Sequence, residues 1–399
     1  MRVPLPADLR QTSPSLLLLG ILMALPALGT DLFVPALPAI AQSLGAHVSA
    51  GQLTLTAYFA GLAAGMLLWG PLSDRFGRKP VLLGGLATML VASLAAAVME
   101  SIAAVALARL AQGLAMSSGA VIVRSIVRDL HAHDQAARML ARVAIVFSIV
   151  PIAAPLAGAQ LVGRWGWQAV FWGLAAAAAA LLVATALRLD ETAPVPRQSI
   201  RPAALVQSFG GILGDRRFYP PLLLLLCGQI GILAWVSNSA FTLVRGLGVS
   251  TQEYGWMFAL VMLGQITGAW FSSRLVLRIG MARLMRVGAA LALGAGLVAA
   301  LFAWTGVKHW SAVVLPFAVF LAGSALITSN ATASALSPFA RAAGTASSLL
   351  GAIAFTCGAL VSTILGAAFD GSARPLATAA ALAGLGAFLS ERRLSRGTA

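Results

Sequence analysis

The sequence predicts an all-α membrane protein of twelve transmembrane helices, arranged as two six-helix bundles. Three observations carry that expectation. The first is composition: of 399 residues, 59% are hydrophobic and only 10% charged, a balance that no soluble domain of this length shows. The mean hydropathy is +0.90. The second is spacing. A membrane helix needs about 20 apolar residues, and runs of that kind recur at 14–40, 50–70, 80–99, 101–123, 136–162, 166–188, 219–244, 252–274, 281–304, 310–334, 342–368 and 374–391. The third is charge asymmetry. The N-terminus and alternate loops carry 22 Arg and Lys residues, whereas the opposite loops carry 4, namely Arg164, Arg245, Lys308 and Arg374. Bases stay on the cytoplasmic side, so both termini are expected there.

In chain order, the first run is too long for a signal peptide and is followed at once by another, so it reads as a retained helix. In 30–38, TDLFVPALP, Pro35 and Pro38 lie just beyond Asp31 and are expected to kink the outer end of helix 1. Residues 189–218 form the longest loop, with Pro194, Pro196 and Pro202 and no long apolar run, and read as the linker between bundles 1–188 and 219–399. The halves repeat weakly. SDRFGRK after helix 2 aligns with VLRIGMAR after helix 8, so that Arg75 and Gly77 match Arg278 and Gly280, while Leu277 stands where Asp74 does.

Several function classes are excluded. The net charge of +15 suggests nucleic acid at first sight, but the bases sit in short loops between apolar runs and serve as topology signals. Cys227 and Cys357 both lie in apolar runs and form no metal-binding pair. There is no phosphate-binding GxxxxGK[ST] loop. No cofactor, no metal and no nucleic acid are expected. Membrane lipid is an expected partner, and a monomer the expected state.

The loop GPLSDRFGRK (70–79) packs Asp74, Arg75, Arg78 and Lys79 between two apolar runs. Gly70 and Gly77 permit close approach or positive φ. Asp74 and Arg78 are four apart and can pair if the turn is helical. A loop that served only to set orientation would explain the bases but not the acid or the glycines. GxLSDRxGRK resembles the signature loop between helices 2 and 3 of the major facilitator superfamily. That resemblance implies parallel six-helix repeats with a substrate site near the bilayer midplane between them. It also implies that Gly70, Asp74, Arg75, Gly77 and Arg78 act in conformational gating. Asp74 is then expected near Arg78 and near the start of helix 11, around Arg341 to Gly344.

With the loop charges set aside, Asp31 and Arg109 remain deep in the membrane. One such charge costs at least ~2.5–3.5 kcal/mol. Counting from helix ends at ~1.5 Å per residue places both about 12–13 Å below the outer surface. The two are therefore expected to face each other or a shared aqueous cavity. A static ion pair is one reading; a carboxyl that takes and releases a proton is the other. Burial and a nearby guanidinium act on a carboxyl's proton affinity in opposite senses. On helix 4, Arg109, Gln112 and Met116 share one face. RxxQG (109–113) resembles the drug-antiporter motif in which the arginine serves proton transfer. The acid of TDxxxPxxP resembles the proton- or substrate-binding acid of 12-helix drug/proton antiporters, and Asp31 matches it.

In helix 5, VPIAAPLAGA (150–159) places Pro151, Pro155 and Gly158 on one face at i, i+4, i+7. It departs from the superfamily's GxxxGPxxGG pattern at Pro151 and Ala154 and is similar to the PxxAPxxG form of the Bcr/CflA branch. VRSIVRDL (123–130) and GWQAVFW (166–172) agree with that branch. Residues 53–85 resemble its phenicol exporters, which points to phenicols or bicyclomycin-type drugs. The resemblance implies a proton-coupled efflux antiporter of the inner membrane. Tyr58, Gln112, Met116, Trp235, Asn238 and Asn330 are the candidate cavity residues, with interhelical bonding as the alternative for each polar one. The rival function is a proton-coupled nucleoside or amino-acid transporter on the same fold. An enzyme is disfavoured because only one acid lies at membrane depth, and a channel because no ring of like charge is visible.

Overall fold

The computed structural model describes residues 15–131, 133–194 and 202–397. The described residues are helical throughout, without a strand. The first span is broken. It consists of α1 (Leu16–Met23), α2 (Leu25–Asp31), a 3-10 turn (Val34–Ala36) and α3 (Leu37–Ser43), and it bends by 54° between α1 and the rest. The bend lies at Ala24, not at Pro35 and Pro38 as expected. Pro26 supplies the reason: it enters α2 without an N–H and cannot bond the carbonyl four residues back. Pro35 and Pro38 stand at the starts of the 3-10 turn and of α3, where a missing donor is tolerated.

The next five spans are α4 (Val48–Phe76), α5 (Arg78–Ala97), α6 (Ile102–Leu130), α7 (His133–Trp165) and α8 (Gln168–Arg188). Only Gly77 separates α4 from α5, at φ +103°, a backbone state open to glycine and not to a bulky residue. Gly70 differs: it is helical, and a Cβ there would meet Val121 at an ordinary 3.9 Å. Its place in the loop motif is therefore not set by close approach.

The segment 189–218 holds an unforeseen helix, α9 (Pro202–Leu213), and a 3-10 turn (Arg216–Phe218). Phe209 and Ile212, three apart, turn inward, while Val206 is exposed. This short stripe was too brief to stand out as an apolar run.

Six further spans follow: α10 (Tyr219–Ala240), extended by a wide π turn (Phe241–Gly246), then α11 (Thr251–Ile279), α12 (Met281–Trp304), α13 (Ser311–Leu336), α14 (Ala343–Ala368) and α15 (Arg374–Gly397). A capping box between Ser250 and Glu253 starts α11, and Gly280 turns the chain into α12 at φ +81°. Ten described helices are individually long and apolar enough to cross a membrane, and the bent first span makes eleven. The twelfth, α15, has 24 residues but carries Arg374 at its start and Glu391, Arg392 and Arg393 near its end, which lowers its mean hydropathy. Glu391 is buried and pairs with Arg286 of α12 at 3.2 Å.

Within the first six spans, α6 packs on α4 and α5, and α5 on α8. Within the last six, α12 packs on α13 and α15, and α10 on α13 and α15. Two long seams join the sets, α4 with α14 and α7 with α11. Polar contacts also tie the two sets at the end expected to face outward. Gln52 Nε2 donates to Ser237 O (3.1 Å), Thr56 meets Thr363 (3.2 Å) and Arg245 donates to Pro38 O (3.3 Å).

Candidate functional site

The break in span 1 brings its backbone carbonyls to α4 and α6. Tyr58 of α4 donates its hydroxyl to Pro26 O (2.8 Å) and also lies 3.4 Å from the Met116 sulfur. Arg109 of α6 is fully buried. Its Nη2 donates to Gly29 O (3.0 Å) and its Nη1 to Gln112 Oε1 (2.9 Å). Gln112 passes the chain on, donating through Nε2 to Ser93 Oγ of α5 (2.7 Å), which donates to Met89 O (2.7 Å). The guanidinium carbon lies 4.0 Å from the ring centroids of both Phe33 and Tyr58. A desolvated cation over an aromatic face gains ~2 kcal/mol or more, and here two faces act together.

Arg109 and Asp31 therefore do not form an ion pair. The cation is held by carbonyl, amide and π faces. Asp31 is buried, at 6% exposure, and among the described residues its carboxyl has neither a hydrogen bond nor an ion pair. Arg109, Gln112, Met116 and Tyr58 come together as one group beside the α2 segment that ends in Asp31. Phe33 and Ser93 were missed from the sequence. Phe33 had a signal, being the aromatic two residues after Asp31. Ser93, a lone serine in an apolar helix, had none.

The candidates in the last six spans lie apart from that group. Trp235 is buried against Phe317 (centroids 5.0 Å) and Phe258 (6.0 Å), with its indole N–H unpartnered. Asn238 donates to Leu365 O of α14 (3.3 Å) and accepts from Thr242 (2.9 Å). Asn330 donates to Ser272 Oγ of α11 and to Leu326 O, both at 2.8 Å. The bonds to Leu365 and Ser272 are the interhelical kind that polar residues inside spans commonly make, whereas Thr242 and Leu326 lie one turn away along the same span.

On α7, Gly158 lies directly against the Leu32 carbonyl, leaving no room for a Cβ. One turn earlier, the Pro155 carbonyl is 3.2 Å from where a Cβ on Gly255 of α11 would stand. The stretch from Pro155 to Gly158 is thus wedged between the broken first span and α11, and Pro151 lies a turn further along the same helix.

At the opposite end, Arg78 is buried and central. It pairs with Asp74, donates Nε to Asp129 Oδ2 (2.9 Å) and Nη1 to Ser73 Oγ (2.8 Å), and its backbone N–H donates to Glu191 Oε1 (2.8 Å). Asp129 and Glu191 were not singled out from the sequence, although Asp129 belongs to the VRSIVRDL stretch. Arg75 is exposed, stacked 5.1 Å from Phe76. A cavity of about 330 Å³ opens beside this cluster, lined among others by Asp74, Arg124, Arg128, Phe209 and Gly344. Asp74 therefore stands near Arg78 and across a cavity from Gly344; the side chain of Arg341 is outside the described residues.

A two-set, twelve-span helical bundle with a buried carboxyl on its broken first span and a buried arginine on α6 defines a multi-pass membrane transporter. The sequence model of the Major Facilitator Superfamily matches residues 19–363. The chain is 30% identical over 338 residues to Multidrug resistance protein D of Escherichia coli K12, covering 85% of this chain and 84% of that protein. It is 28% identical over 366 residues to the Bicyclomycin resistance protein homolog of Haemophilus influenzae, covering 90% and 91%. Among solved structures it is similar to a POT family transporter in complex with 5-aminolevulinic acid (TM-score 0.75, 14% identity, 96% and 94% covered). It is also similar to a D-xylose-proton symporter (TM-score 0.72, 15% identity, 93% and 96% covered). The chain belongs to the Major Facilitator Superfamily.

Proposed function

We propose that this chain is a proton-driven antiporter that exports small hydrophobic drugs across the inner membrane, with both termini in the cytoplasm and the halves on either side of 189–218 rocking about the central site. The observation that carries the coupling half is Asp31, buried and partnerless at the end of the α2 segment whose Gly29 carbonyl, and not its carboxyl, takes the Arg109 guanidinium. Such a carboxyl can exchange a proton without dismantling the Arg109 network. Asp31 is the proton site and Arg109 the fixed charge near it. Tyr58, Gln112 and Met116 shape the substrate cavity from one side, and the aromatic group around Trp235 from the other. An apolar, aromatic lining favours uncharged or weakly charged compounds over phosphorylated ones. The efflux direction and the drug class rest on the resistance names of the relatives.

The test is susceptibility. Cells lacking their own drug pumps and carrying this gene are compared with empty-vector cells across phenicols, bicyclomycin-type and unrelated drugs. The expected result is resistance to at least one hydrophobic drug that collapses when the proton gradient is dissipated. Unchanged susceptibility across the panel, with proton-linked uptake of a nucleoside or amino acid in its place, would overturn the export reading.

A further inference from the structure

The first turn of α14 has no capping side chain; Ala342 precedes it. Gly344, Thr345, Ser347 and Ser348 of that turn and the next line the 330 Å³ cavity beside the Asp74–Arg78 cluster. The N-terminus of a long helix carries about half a positive charge, and its ordinary complement is an acid. Here its neighbours are cationic. A Cβ on Gly344 would lie 3.1 Å from Arg128 Nη1. Arg124, one turn back on α6, donates through Nη1 to Ser347 Oγ at 3.4 Å. Among the described residues neither guanidinium has a carboxylate within ion-pair distance, and Arg128 Nε donates only to the Arg124 carbonyl (3.2 Å). Asp74 and Asp129 also line the cavity, but Arg78 holds both. Three arginines face two carboxylates, so the cavity is positive by one charge before the helix terminus is counted. Like charges gathered around one cavity repel, and an anion between them relieves that repulsion.

We propose that this cavity binds one singly charged phosphate ester between Arg124, Arg128 and the first turn of α14. Arg124 and Arg128 are four apart on one helix face, and two guanidinium forks suit the oxygens of one phosphate. The first turn of α14, which follows directly on the 3-10 turn Ser337–Ala342, and the hydroxyls of Thr345, Ser347 and Ser348 complete the cradle. Leu67, Val121 and Phe209 form the apolar wall for the carbons of the ester. The single net charge matches a phosphodiester, as in an anionic phospholipid headgroup of the inner leaflet or a soluble phosphodiester. The bound anion fills the place at α14 that the Asp74 carboxylate would otherwise take, so anion binding and docking of Asp74 on α14 exclude each other.

Native mass spectrometry of the delipidated full-length protein tests this. The protein is reloaded with phosphatidylglycerol or phosphatidylcholine, as wild type and as Arg124→Gln, Arg128→Gln and, for control, the exposed Arg278→Gln. Wild type and R278Q are expected to retain phosphatidylglycerol roughly tenfold better than phosphatidylcholine, and either cavity substitution to remove the difference. Glycerophosphoglycerol, a soluble phosphodiester, at millimolar concentration that displaces the lipid assigns the site to soluble esters as well; failure to displace it assigns the site to lipid. Equal retention of the two lipids by wild type, or unchanged selectivity in both R124Q and R128Q, overturns the proposal. If the glutamine variants do not fold, wild type decides alone: a selectivity that rising ionic strength leaves unchanged is also fatal to it.

Discussion

Arg109 donates to the carbonyl of Gly29 at 3.0 Å, two residues before Asp31, and so grips the backbone of the bent first span while leaving its carboxyl alone. A direct ion pair would tie the protonation of the acid to the position of the cation. The observed arrangement separates them, and the first two predictions follow from that separation.

Asp31→Asn fixes the neutral form of the carboxyl. Export of drug against a gradient is expected to disappear, with binding of an uncharged drug retained within about threefold, since the substitution is isosteric and breaks no hydrogen bond. Transport in everted vesicles with and without an imposed pH gradient measures the first, and equilibrium binding to purified protein the second. Gradient-driven accumulation by D31N at the wild-type rate would place the proton site elsewhere.

Arg109→Lys keeps the charge and loses the fork and the flat stacking surface. Lysine cannot bond Gly29 O and Gln112 together while lying between Phe33 and Tyr58. A loss of two charge-assisted bonds, each about 1.5–3 kcal/mol, is expected to cut the transport rate at least tenfold. The experiment is an initial-rate comparison at matched protein level. If R109K transports like wild type, the charge alone suffices and the sandwich is incidental.

Gly158→Ala puts a methyl where the Leu32 carbonyl lies. The α7–span 1 contact has to open, at about 1–3 kcal/mol for an overpacked site. A lower melting temperature and slower transport are expected together. Gly70→Ala, at a site with room for a Cβ, should change the melting temperature much less, and equal shifts in the two variants would contradict the close-packing argument.

Asp74→Asn weakens the Arg78 cluster without emptying it, because Asp129 and Ser73 still hold the guanidinium. Transport should fall severalfold with drug affinity nearly constant. Asp129→Asn is expected to behave similarly. A drug affinity that falls in parallel with transport would move Asp74 from gating to binding.

Much of the fold was readable because the membrane makes each span declare itself as an apolar run of set length. The loop charges did the rest for Asp74, Arg78 and Gly77. That Arg109 reaches the first span close to Asp31 was also readable from residue counts, and the Arg109–Gly29 bond shows that contact. What Arg109 bonds was not readable: a guanidinium that takes two rings, a carbonyl and an amide in place of the carboxylate does so through side-chain directions that spacing does not encode. Ser93 and Glu191 acquire meaning only through partners 19 and 113 residues away in sequence. The bend at Ala24 was misplaced because three prolines stand within 26–38 and only packing decides which one breaks the helix.

Gly77 and Gly280 make the same turn, at φ +103° and +81°, at corresponding points of the two halves. Where the first half follows its helix with Asp74 clasped to Arg78, the second presents Leu277, 94% exposed. The repeat is thus a symmetry of backbone and not of charge. One rim carries an ion-pair cluster and the other a plain edge, so in the rocking proposed above the work of parting this face falls on a single side of the molecule. A mirror-image pair of substitutions, at 74 and at 277, should therefore have unequal effects: the same hinge is built twice and locked once.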